Sequence, residues 1–166
     1  MAGDLLKIIP ALAIIAFGCI GGPVHAETLS DGFAVVIHRS NTDQDLHVAD
    51  IRAFYMGTVR RWPGGKKLVL VTREVNSPPS IFLLRNILNT DIRSYERRIA
   101  SIQFQGEEPL VLKVLNSDAA VCRFIFNVPF AIGLVRAASV ALPECSAVSA
   151  ARIDGRFPGE PGYKLK

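Results

Sequence analysis

Lys67-Leu68-Val69-Leu70-Val71-Thr72 runs straight into Arg73-Glu74-Val75-Asn76 and then into Ser77-Pro78-Pro79-Ser80. A short, continuous apolar run rich in valine is the pattern of a strand buried on both faces. Ser77 followed by proline reads as a helix start. The serine oxygen can accept an orphan N–H, and proline in the first turn gives up a donor that the helix does not use. Ile81, Leu84 and Leu88 then recur on one side of that helix. A buried strand leading directly into a helix is the repeating unit of an α/β fold.

The same alternation extends in both directions. Upstream, Phe33-Ala34-Val35-Val36-Ile37 is another continuous β-branched run, followed by polar residues Ser40 to Asp45. Val48, Ile51 and Tyr55 then fall at helical spacing, and Gly57 is placed to end that helix. Arg60-Arg61-Trp62-Pro63-Gly64-Gly65 reads as a turn, with Trp62 as a core plug beneath it and a cation patch for a partner as the rival reading. Downstream, Thr90 can cap a helix that carries Ile92, Tyr95, Ile99 and Ile102 on one face. Arg93, Glu96, Arg97 and Arg98 form its solvated face. Leu110 to Leu115 is a third strand, and Ser117-Asp118 caps a helix through Asn127 with Val121, Phe124 and Ile125 inward. Ala131 to Val135 is a fourth strand, and Val148 to Ile153 a fifth before the turn-rich Asp154 to Gly159. The expected fold is α/β: a mostly parallel mixed sheet covered by helices on both faces. There is no internal repeat, low-complexity tract or linker that would divide it.

The N-terminus has a different character. Lys7 precedes an apolar run of 13 residues, Ile8 to Ile20, and Val24-His25-Ala26 is a small-x-small cleavage pattern. This is the layout of a secretory signal peptide, with a run too short for a comfortable permanent anchor. The expected organisation is a signal peptide at residues 1–26 and one domain at 27–166, exported to the periplasm. Lipoprotein processing at Cys19 is the rival reading, but the leucine usual three residues upstream is missing. The mature chain of 140 residues is long enough for one real core and keeps the net charge of +4. That balance suits a small anion or an acidic surface. It lacks the dense basic stripe of a nucleic-acid binder, so no nucleic acid is expected. Cys122 and Cys145 remain; in an oxidising compartment they either pair as a disulfide or stay as two buried thiols.

Four segments taken in order carry a resemblance. Asp50 through Trp62, Ile81 through Leu88, Ala131 through Val135 and Ile153-Asp154-Gly155 resemble successive motifs of the phosphate-type periplasmic solute-binding proteins, over roughly residues 33–163. The resemblance implies the type 2 periplasmic binding-protein fold. It also implies a shortfall, because this chain has room for one lobe where full-length members close two on their ligand. The implied function is capture of phosphate or a similar oxyanion for an ABC importer, with an inner-membrane permease as partner. A homodimer could rebuild a two-lobed cleft. The alternative is a non-binding periplasmic interaction module that keeps the fold but has lost the ligand site.

Binding a dehydrated oxyanion needs many neutral donors and a cation. The resemblance puts Arg73 and Ser77 where the family's anion ligands lie. Pro78 and Pro79 replace the family's Gly and Thr there, removing two backbone donors and one hydroxyl, and Glu74 adds a negative charge. Plain helix capping by Ser77 is the competing account. Ser40 and Asn41, in the loop at the carboxyl end of a first strand expected to be parallel, and Ser117, before a later helix, are further candidate oxyanion ligands, each with turn or capping chemistry as the competing account. Asp43-x-Asp45-x-His47 alternates metal-ligand types, but acids just before a helix are favoured by its dipole, and no metal or cofactor is expected. Neither a G-x-S-x-G elbow nor an H-E-x-x-H pair occurs, so catalysis is not expected.

Overall fold

The computed structural model describes residues 32–105 and 108–166. Strand β1 (Phe33–His38) is followed by the two-residue β2 (Asp45–Leu46), helix α1 (Val48–Tyr55) and β3 (Val69–Arg73). Helix α2 (Pro78–Phe82) continues into a wider π turn over Leu83–Ile87, where Arg52 Nε donates 2.7 Å to the Ile87 carbonyl. Then come α3 (Ile92–Gln105), β4 (Val111–Leu115), α4 (Asp118–Asn127), β5 (Ala131–Arg136), β6 (Val148–Ala150) and β7 (Arg152–Ile153). Among the described residues no helix is long and apolar enough to cross a membrane. The expected segments hold, with two changes of detail. The α3 cap is Asp91, whose carboxylate accepts the Ser94 N–H at 3.0 Å, and not Thr90. The last expected strand breaks at Ala151: its first half joins the main sheet, and its second half pairs in parallel with β2.

The main sheet has the order β4-β3-β5-β1-β6. Strands β4, β3 and β5 run parallel, while β1 is antiparallel to both of its neighbours. The sheet is therefore mixed and mostly parallel, with helices on both faces. Along β1 the side chains alternate between two cores: Val35 and Ile37 face the α1–α2–α3 layer, and Ala34 and Val36 face α4. That double burial is why the strand reads as an unbroken apolar run.

Local chemistry fixes the layers. Gly57 sits at φ +70 just past α1, where a side chain would be strained. Trp62 is buried edge-on against Phe54, with its Nε1–H donated to the Phe130 carbonyl at 3.0 Å, so it plugs the core as expected. Gly133 lets α4 approach the sheet, since a Cβ there would lie 2.7 Å from Val121 Cγ1. Cys122 of α4 and Cys145 form a disulfide, with Cα atoms 5.0 Å apart. It ties α4 to the short turn that follows β5.

Candidate functional site

Because β3, β4 and β5 are parallel, Arg73, Leu115 and Arg136 end on one edge of the sheet. The N-termini of α2 and α4 open there too. Chain order passes from β3 to β4 on one side and then to β5 on the other, so β3 lies at a topological switch point. The crevice outside that point is where open α/β sheets place ligands.

Asp118 occupies this edge. Its side chain is 2% exposed, and its two oxygens accept from four donors. Arg73 Nη1 donates to Oδ1. Oδ2 accepts from the Arg136 backbone N–H at 3.2 Å, Arg136 Nε at 3.1 Å and Ser139 Oγ at 2.6 Å. Burial alone would push the carboxyl up; the hydrogen bonds from Ser139 and Arg136 and the charge of Arg73 overcome this and hold it below the usual carboxylate range. Two guanidinium groups, one hydroxyl and one backbone N–H are the chemistry that grips a free oxyanion. Here a side chain of the chain itself receives them.

Arg73 has further partners through Nη2, while its buried Nε has none. Its Nη2 reaches Glu74 Oε1 at 3.1 Å and the Asn116 carbonyl at 3.0 Å. Burial works to lower its pKa, but hydrogen bonds to Glu74 and Asp118 raise it above the ordinary value, so it is firmly cationic. Ser77 is inward and committed: its hydroxyl donates to the Glu74 carbonyl at 2.7 Å and accepts the Ser80 N–H at 3.4 Å. Ser117 caps α4 through the Ala120 N–H at 3.1 Å. The structure thus brings Arg73, Ser77 and Ser117 to one edge.

Ser40 and Asn41 lie elsewhere. The expectation put them at the carboxyl end of a parallel strand, but β1 runs antiparallel to β5, so they fall at the opposite end of the sheet. There Ser40 Oγ meets His38 Nδ1 at 2.8 Å, and Asn41 Oδ1 accepts the Asp43 N–H at 3.1 Å. His47 Nδ1 contacts Asp154 Oδ1 at 2.6 Å, a hydrogen bond that raises the pKa of the imidazole. Asp45 accepts from the Gly155 N–H at 3.0 Å. These acids and His47 clasp the Asp154-Gly155 turn to the start of α1.

Sequence reading missed the role of Asp118, and with it Arg136 and Ser139. The signal was present: Arg136 ends the Ala131–Val135 run, so in a parallel sheet it had to share an edge with Arg73.

No protein-family model matches the sequence. No curated protein matches it. Solved structures share its fold, which is that of one lobe of a type 2 periplasmic binding protein. One is a phosphate ABC transporter substrate-binding protein with bound phosphate from Clostridium perfringens, with a TM-score of 0.59 and 20% identity over 77% of this chain and 47% of that one. Another is an ABC-type phosphate transport receptor from Vibrio cholerae, with a TM-score of 0.60 and 19% identity over 77% and 48% of the two chains. PstS from Borrelia burgdorferi matches with a TM-score of 0.58 and 12% identity over 77% and 49%. The chain spans about half the length of the structures it matches.

Proposed function

We propose that this chain is an exported binding-protein lobe whose anion site is filled by its own Asp118. It acts as a periplasmic interaction module, not as a carrier of free phosphate. The observation behind this reading is the four-donor grip on a carboxylate that is 2% exposed. A free oxyanion at this edge would have to expel that carboxylate and leave it buried without partners, a loss of several kcal/mol. Pro78 and Pro79 also leave the first turn of α2 without backbone donors to offer. Export rests on the leader at residues 1–26, with Glu27 as the first mature residue.

Titration calorimetry decides between the two readings. The exported chain, titrated with inorganic phosphate and sulfate to millimolar concentration, should give no saturable heat. The carrier reading, phosphate handed to an inner-membrane permease, requires the opposite result, and a saturable heat with the wild-type chain would refute the module reading.

A further inference from the structure

We infer that the free edge of β4 is where this module takes its partner: an extended strand of another protein that places an acidic residue opposite Lys113 and apolar residues on either side of it. The inference rests on the interaction-module reading. Two independent features of one place support it. First, β4 is the longer of the sheet's two edge strands, and among the described residues nothing pairs with its outer side, so alternate N–H and C=O groups along Val111–Leu115 are open to strand addition. Second, Leu112 and Val114 of that same strand form part of the wall of a cavity of about 260 Å³, whose other apolar lining includes Leu84, Tyr95 and Ile99. Val114 is 55% exposed although it lines the cavity, so the cavity mouth lies at the strand edge.

Alternation along the strand sets what fits. Leu112 and Val114 pair beside Leu70 and Thr72 on the cavity face, while Lys113 points to the other face and is exposed. An incoming strand therefore meets apolar wall, lysine, apolar wall. Residues paired directly across two strands attract when their charges are opposite and repel when they are alike. A second copy of this chain, paired antiparallel about Lys113, would set lysine against lysine, and a slip of one residue would turn its apolar side chains to the wrong face. The charge of +4 on the whole chain also favours an acidic partner. An apolar-acidic-apolar strand from a different protein satisfies all three constraints.

The probe is a fluorescein-labelled ten-residue peptide with Val-Glu-Val at its centre, its binding to the exported chain followed by anisotropy. It should bind at least about fivefold tighter than the same peptide with Val-Lys-Val, and Lys113→Glu should reverse that order. Ala100→Trp, at an exposed α3 position lining the cavity, should weaken binding about tenfold while leaving the unfolding midpoint in place. Backbone N-methylation of the peptide should abolish binding. Equal binding of the two peptides, undiminished binding of the methylated one, or a chain that dimerises through β4 would each overturn the inference. Absence of peptide binding with no phosphate heat sinks this inference alone. Phosphate heat sinks the module reading whatever the peptides do.

Discussion

Asp118→Ala removes the carboxylate that Arg73, Arg136 and Ser139 share, and its cost can be bounded from burial. Arg136 is 60% exposed in its side chain and regains water when its partner goes, so its half of the interaction is worth little. Arg73 is 11% exposed and cannot. Stranding one side of a buried pair costs about 3–5 kcal/mol, and because Arg73 keeps Glu74 and the Asn116 carbonyl this variant lies at the low end, about 3 kcal/mol. For a domain of this size that lowers the melting temperature by about 10 °C. The emptied donor set should then accept an external anion. Formate or phosphate at ten times its dissociation constant would return ~1.4 kcal/mol to Asp118→Ala and nothing to the wild type. Urea denaturation monitored through Trp62, with and without each anion, measures both quantities. The carboxyl titrates below its ordinary range, so its contribution is complete above about pH 4 and is lost as pH falls through the depressed folded value. The variant should lack that part of the acid limb. A loss under 1 kcal/mol, or equal stabilisation of wild type and variant by phosphate, would refute the assignment of Asp118 as the resident anion.

Reducing the Cys122–Cys145 bond, which spans 23 positions, should cost about 3 kcal/mol of stability and lower the denaturant midpoint; a midpoint indifferent to reductant would show that the bond does not constrain the unfolded chain. Gly133→Ala should cost about 1–3 kcal/mol, because the new Cβ meets Val121 Cγ1 at 2.7 Å and Ile125 Cδ1 at 3.1 Å; an unchanged midpoint would mean that α4 yields freely. Intact mass of the exported chain should begin at Glu27, and a diacylglycerol adduct on Cys19 or a full precursor would overturn the signal-peptide reading.

Most of the fold was legible because buried strands and one-sided helices leave periodic traces. Phe33–Ile37, Leu68–Thr72 and Ala131–Val135 are strands in the structure much as their apolar runs imply. Direction left no such trace. A strand buried on both faces has the same composition whichever way it runs, so the antiparallel course of β1, which sets Ser40 and Asn41 at the far end of the sheet, has no signature in the sequence. The break at Ala151 was equally silent. Its N–H goes to the Val35 carbonyl while the next N–H goes to the Gln44 carbonyl, a change of partner that no local pattern encodes. The site suffered most, because the bonds of Asp118 reach 45 residues back to Arg73 and 18 to 21 residues forward to Arg136 and Ser139. Capping chemistry explained Ser117-Asp118 locally, and a satisfactory local account hides a long-range one.

The internal carboxylate suits an anion site on the edge of one lobe. An anion on the edge of a single lobe keeps one side in water, where high dielectric and salt weaken every charge contact. A free ligand must in addition give up translational and rotational freedom, a cost of at least about 4 kcal/mol. A carboxylate fixed on the first turn of α4 has already met that cost through folding, and it is present at an effective concentration that no millimolar solute matches. With two lobes, a ligand wrapped on all sides could outcompete such a tethered group. On the edge of this lobe taken alone, the tethered group is the stronger competitor. Asp118 then serves stability: it neutralises Arg73 and anchors α4 to the ends of β3 and β5.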